Sequence, residues 1–73
     1  MENLQVKTKQ LILLFLSNVK EMFEYNNLIE FIKSNEGSLQ LESNMTIKEY
    51  LYYEFERKNK LRYIQRLNSY KLL

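Results

Sequence analysis

Not one proline interrupts these 73 residues, and Gly37 is the only glycine. Those two residue types most often end helices and place turns. Nothing local therefore forbids helix from end to end, and periodicity and capping residues must set every boundary. On that basis the chain reads as all-α: a single helical domain over residues 1–73, compact, of three or four helices. The expected parts are a long N-terminal helix, a short middle helix, and a capped C-terminal helix or helix-turn-helix pair. The first and last helices are expected to pack antiparallel, with the short one bracing them.

The first helix is expected over residues 3–25. Leu4, Leu11, Ile12, Phe15, Leu16, Val19, Met22 and Phe23 recur at the i, i+3, i+4, i+7 spacing of one buried face. Val6 and Leu13 fall on the far side, seven residues apart, and are candidates for contact with another protein or protomer. Asn26-Asn27 reads as an interruption. Asn27 suits an N-cap, with Glu30 three residues on to complete a box-like arrangement. A short helix over 28–35 would then bury Leu28, Ile29, Phe31 and Ile32 and end at a left-handed Gly37. Residues 38–45 are a connection, in which Leu39 and Leu41 alternate with polar neighbours as a short extended piece would.

The clearest local signal is Thr46-Ile47-Lys48-Glu49, a capping box with Met45 and Tyr50 at the flanking staple positions. The extent of the helix it starts is open. Ile47, Tyr50, Leu51 and Phe55 share one face, whereas Leu61, Ile64 and Leu67 centre about 100° away, far beyond the ~20° drift of a heptad. A turn within Glu56-Arg57-Lys58-Asn59-Lys60 would explain this, since Asn59 tolerates left-handed geometry. Against a turn, Glu54–Lys58 and Glu56–Lys60 are i, i+4 pairs worth about 0.2–0.5 kcal/mol each. A continuous helix over 47–70 would run about 35 Å and carry Tyr52, Tyr63, Leu67 and Tyr70 as an interface row. A broken one would place Lys58, Arg62, Gln65, Arg66 and Ser69 on one ridge of a second helix, side-chain types that reach phosphates and base edges.

Chemistry is narrowed by absence. The chain has no Cys, His, Asp, Trp or Ala. The usual metal ligands are missing, so no metal and no cofactor is expected, and an enzyme is not expected either. Glu21/Glu24 and Glu54/Glu56 read as surface carboxylates. The run Leu11–Leu16 is too short for a signal peptide or a membrane span, so a cytoplasmic protein with no membrane contact is expected.

Net charge is only +2, yet it is unevenly placed. Residues 1–45 hold four Lys against six Glu, a net of −2, and residues 46–73 hold seven Lys or Arg against three Glu, a net of +4. Nucleic-acid contact, if any, is therefore expected from residues 57–71. Abundant Asn, Lys, Ile and Tyr without Ala fit AT-rich coding, as in a low-GC bacterium, its phages or its mobile elements.

Thr46-Ile47-x-Glu49 followed by Leu61-Arg62-Tyr63 distantly resembles the opening of mercury-resistance-type regulators, which implies a DNA-binding helix-turn-helix. The likeness covers fewer than 20 positions. It lacks that family's turn glycine, with Phe55 standing about there, and no wing segment is expected after it. No family is assigned on it.

Four Phe, six Tyr and thirteen Leu exceed what one small core needs. The leading expectation is thus a non-enzymatic protein-binding regulator or inhibitor that occupies a surface of a larger protein, or self-associates. Its candidate contacts are Val6, Leu13, Tyr52, Tyr63, Leu67 and Tyr70. The alternative is a small helix-turn-helix DNA-binding transcriptional regulator using Lys58, Arg62, Gln65, Arg66 and Ser69.

Overall fold

A computed structural model describes residues 4–73, apart from the side chains of Leu4, Gln5 and Glu42. The expected helix start at residue 3 and the place of the Leu4 side chain in the apolar stripe lie outside the described residues. The elements run α1 (Leu4–Ser17), β1 (Met22–Glu24), α2 (Tyr25–Ser34), α3 (Ile47–Leu51), β2 (Leu61–Ile64) and β3 (Ser69–Leu72). α3 continues without a break into a π-helical turn, Tyr52–Glu56. The strands form one antiparallel sheet in the order β1-β3-β2. The all-α expectation is therefore wrong, and so is the helical bundle it implied: this is a mixed fold of three helices and a three-stranded sheet.

α1 stops eight residues short of the expected end. Ser17 Oγ and Asn18 Nδ2 both donate to the Leu14 carbonyl, at 2.7 and 2.9 Å, and occupy an acceptor that the next turn of helix would need. Met22 and Phe23, read as part of the helical stripe, form β1 instead. The strand is held by β3, with Phe23 opposite Tyr70 and their rings stacked at 5.4 Å. α2 then begins at Tyr25, with Glu24 rather than Asn27 at the cap position. α1 packs chiefly on α2, not on a C-terminal helix.

α2 ends in a Schellman motif shifted by one residue from the expected place. Gly37 N–H donates to the Ile32 carbonyl at 2.8 Å, and Glu36 N–H to Lys33 at 3.1 Å. Glu36 is the residue with positive φ, at 59°. Gly37 is required for closeness instead: a Cβ there would stand 2.7 Å from Ile32 Cγ2 and 3.1 Å from Thr8 Oγ1. That buried Thr8 hydroxyl donates to the Ser38 carbonyl at 3.0 Å and accepts from the Ser38 amide at 2.7 Å. It ties α1 to the connection between α2 and α3. Leu41 plugs that connection into the core, while Leu39 stays exposed.

The capping box forms as expected. The Glu49 amide donates to Thr46 Oγ1 at 3.1 Å, and the Thr46 amide to Glu49 Oε1 at 3.4 Å. The helix then ends where a turn was weighed. Lys60 N–H reaches the Phe55 carbonyl at 2.8 Å, and Asn59 takes φ 60°. Past Asn59 the chain forms neither a second α-helix nor a continuation of the first, only a single 3-10 turn at Gln65–Leu67. Leu61 and Tyr63 alternate with Arg62 and Ile64 as the face of β2, and the loop 65–68 turns back into β3 through left-handed Asn68. This β2–β3 hairpin was not expected.

One apolar core joins every element: Ile12 from α1, Phe23 from β1, Leu28 and Ile32 from α2, Ile47 and Leu51 from α3, Leu61 from β2 and Tyr70 from β3. The radius of gyration, 11.7 Å, is near the roughly 11 Å of a globular chain this long, so among the described residues no helix projects far into solvent.

Candidate nucleic-acid interface

The exposed cations of residues 46–73 ride on three adjoining pieces: Lys48 on α3, Arg57, Lys58 and Lys60 after the π turn, and Arg62, Arg66 and Lys71 on the hairpin. Alternation along β2 and β3 turns Leu61 and Tyr70 into the core and leaves Arg62 and Lys71 outward, directly opposite each other. Two like charges in register cost stability, and among the described residues no carboxylate pairs with either. Between the π turn and β2 runs a groove of about 430 Å³, whose walls include Tyr52, Glu56, Arg57, Arg62 and Tyr63. A second groove of similar size, by Met22, Glu24 and Leu67, carries a carboxylate and no cation.

A hub of contacts fixes the hairpin against α3. Lys48 Nζ donates to Tyr63 Oη at 3.1 Å, and Tyr63 donates onward to Asn68 Oδ1 at 2.7 Å. The same ammonium lies 5.0 and 4.9 Å from the ring centres of Tyr25 and Tyr63. The Asn68 carbonyl accepts from the Tyr25 amide at 2.9 Å. Three elements, α2, α3 and β2, thus meet at one cation, and the loop at the hairpin tip is tied to them through left-handed Asn68.

Burial shifts several groups. The Tyr70 phenol is pushed far above its ordinary value, first by burial and then by the Glu56 carboxylate. Burial likewise raises Tyr25 and Tyr50, and it raises the Glu56 carboxyl.

The expected site residues scatter. Lys58, Arg62, Gln65, Arg66 and Ser69 do not share a helical ridge. Lys58 pairs with Glu54 at 3.1 Å, Arg62 is on β2, and Gln65 and Arg66 are exposed in the hairpin loop. Ser69 is buried, its hydroxyl donating to the Leu67 carbonyl at 2.8 Å. Nor do Tyr52, Tyr63, Leu67 and Tyr70 form a row. Tyr70 is 1% exposed and belongs to the core, Tyr63 is half-buried in the hub, and only Tyr52 and Leu67 are open. Val6 and Leu13 are exposed on α1, with Leu14 beside them. Sequence reasoning did not single out Lys48 or Tyr53, and it held Arg57 and Lys71 only as part of the stretch 57–71. The alternation of Leu61, Tyr63, Tyr70 and Leu72 was the signal for the hairpin that carries Lys71.

No family model, curated protein or solved structure matches this chain. Among the described residues no helix is long and apolar enough to cross a membrane.

Proposed function

We propose that this protein is a non-enzymatic, cytoplasmic DNA-binding regulator. In this reading α3 and its π turn enter the major groove, and the β2–β3 hairpin follows the adjacent phosphates. The order helix, strand, helix, helix, strand, strand, with β3 between β1 and β2, is the layout of a winged helix-turn-helix. That is a fold-level analogy, and the layout alone does not assign a function. The connection from α2 to α3 spans residues 35–46, longer than the three or four residues of a compact helix-turn-helix.

The observation that carries the reading is the Arg62–Lys71 pair. A sheet built only for stability gains nothing from two outward cations in register, whereas a phosphate beside them satisfies both. Arg57 across the groove extends the same basic surface toward α3. Anisotropy with a labelled random-sequence duplex at several salt concentrations tests this. Binding should weaken with a log–log slope of about −0.9 per neutralised phosphate, and Arg62→Ala or Lys71→Ala should each flatten that slope by about 1. An unchanged slope in both variants, or no binding at low salt, sinks the reading.

A second reading is favoured by the exposed Val6, Leu13 and Leu14 of α1: a module or inhibitor that docks on a larger protein, or a homo-oligomer. Nuclease-resistant capture of one partner, lost in a Val6→Lys, Leu13→Lys variant, would support it over DNA binding.

A further inference from the structure

The outward surface of α3 is unusual for a helix read as entering a DNA groove, because most of its polar side chains are already engaged. Glu49 Oε1 is held by the Thr46 amide and hydroxyl, and Lys48 is held in the Tyr25–Tyr63 hub. Glu54 is paired with Lys58. Arg57 lies 5.5 Å over the Tyr53 ring. Two aromatic rings also stand exposed on this face. Tyr52 is 50% and Tyr53 42% exposed, packed edge to face at 5.3 Å. Their exposure is not an accident of fraying: the π turn that carries them is closed by a 2.9 Å bond from the Arg57 amide to the Tyr52 carbonyl.

Resting on the DNA-binding reading, we infer that Tyr52 and Tyr53 make this a thymine reader, recognising 5-methyl groups in the major groove by apolar contact rather than guanine or cytosine by hydrogen bonds. The thymine methyl is the one apolar feature on a major-groove base edge, and aromatic rings are among the side chains that contact it. Guanine is read by a free Arg or Lys fork and cytosine by a free carboxylate. On this face those groups are tied into a cap, an ion pair, a hub or a ring stack. Arg62, at the groove beside Tyr52, is left to flank the rings with a phosphate contact.

The test uses the full chain and duplexes selected by it from a randomised library. Each thymine of a selected duplex is replaced by uracil, which removes only the methyl group and keeps base pairing. Affinity by anisotropy should fall about three- to fivefold per contacted methyl, the effect of one buried carbon. Tyr52→Ala with Tyr53→Ala should bind the thymine and uracil duplexes equally, whereas Tyr52→Phe with Tyr53→Phe should still distinguish them. Both positions are exposed, and an unchanged thermal midpoint confirms that the variants fold. Equal wild-type affinity for the two duplexes overturns the inference while leaving DNA binding intact. Loss of discrimination in the Phe pair also overturns it, by assigning the contact to the hydroxyls. Failure to bind any duplex at low salt removes the DNA-binding reading itself.

Discussion

Truncating Tyr70 is the most demanding test of the architecture. The ring is 1% exposed, stacked on Phe23 at 5.4 Å and tilted against Tyr63 at 4.9 Å, on the strand that both other strands pair with. Tyr70→Ala leaves a cavity where three strands and the hub converge. Aromatic-to-alanine changes in cores cost about 3–5 kcal/mol. Total stability for a chain this size is about 4–11 kcal/mol at 0.05–0.15 kcal/mol per residue, so the change removes roughly half of it. At about 4–8 °C per kcal/mol, the thermal midpoint should drop by about 12–40 °C. Tyr52→Ala, at an exposed position, should stay within about 0.5 kcal/mol of wild type. Urea and thermal unfolding followed by circular dichroism measure both variants. Losses that are small and alike would mean that Tyr70 faces outward, and the β1-β3-β2 sheet would fall with that result.

Gly37→Ala should destabilise by about 1–3 kcal/mol through overpacking against Ile32 and Thr8, seen as a lower urea midpoint; a neutral outcome would place Gly37 away from α1. Thr46→Ala should cost about 1 kcal/mol and Thr46→Ser much less, because only the hydroxyl caps the Glu49 amide. Stability should fall as pH rises above about 10, where an ordinary tyrosine ionises. There the unfolded chain releases a proton that folded Tyr70 retains, so the native state binds more protons, and Tyr70→Phe should flatten the decline. The raised Glu56 carboxyl has the same sign at lower pH. Its contribution is best in acid and declines as pH rises through the carboxylate range, so Glu56→Gln should flatten the urea midpoint between pH 4 and 7.

The capping box at Thr46, the core-facing Leu28, Ile32, Ile47 and Leu51, and the concentration of positive charge after residue 46 were legible in the chain, and the turn at Asn59 was one of two open readings. Each rests on interactions within a few residues: a hydroxyl three positions from its amide, a left-handed Asn, apolar side chains at helical spacing. The candidate site was legible only as a charge. Arg62 was named, but its neighbour Lys71 and the ring pair Tyr52–Tyr53 become a surface only once the hairpin closes.

The sheet was decided elsewhere. β1 is three residues whose partner lies 47 positions away, and Met22 and Phe23 fit a helical stripe as well as they fit a strand. Leu61, Ile64 and Leu67 share a helical face at spacings of three, whereas Leu61 and Tyr63 share a strand face, and the strand wins once Leu61 pairs with Leu72 and Tyr63 with Tyr70. With no proline to veto helix, local spacing could not choose between the two. The choice came from non-local hydrogen bonds and from burying Phe23 against Tyr70, terms that exist only when distant segments meet.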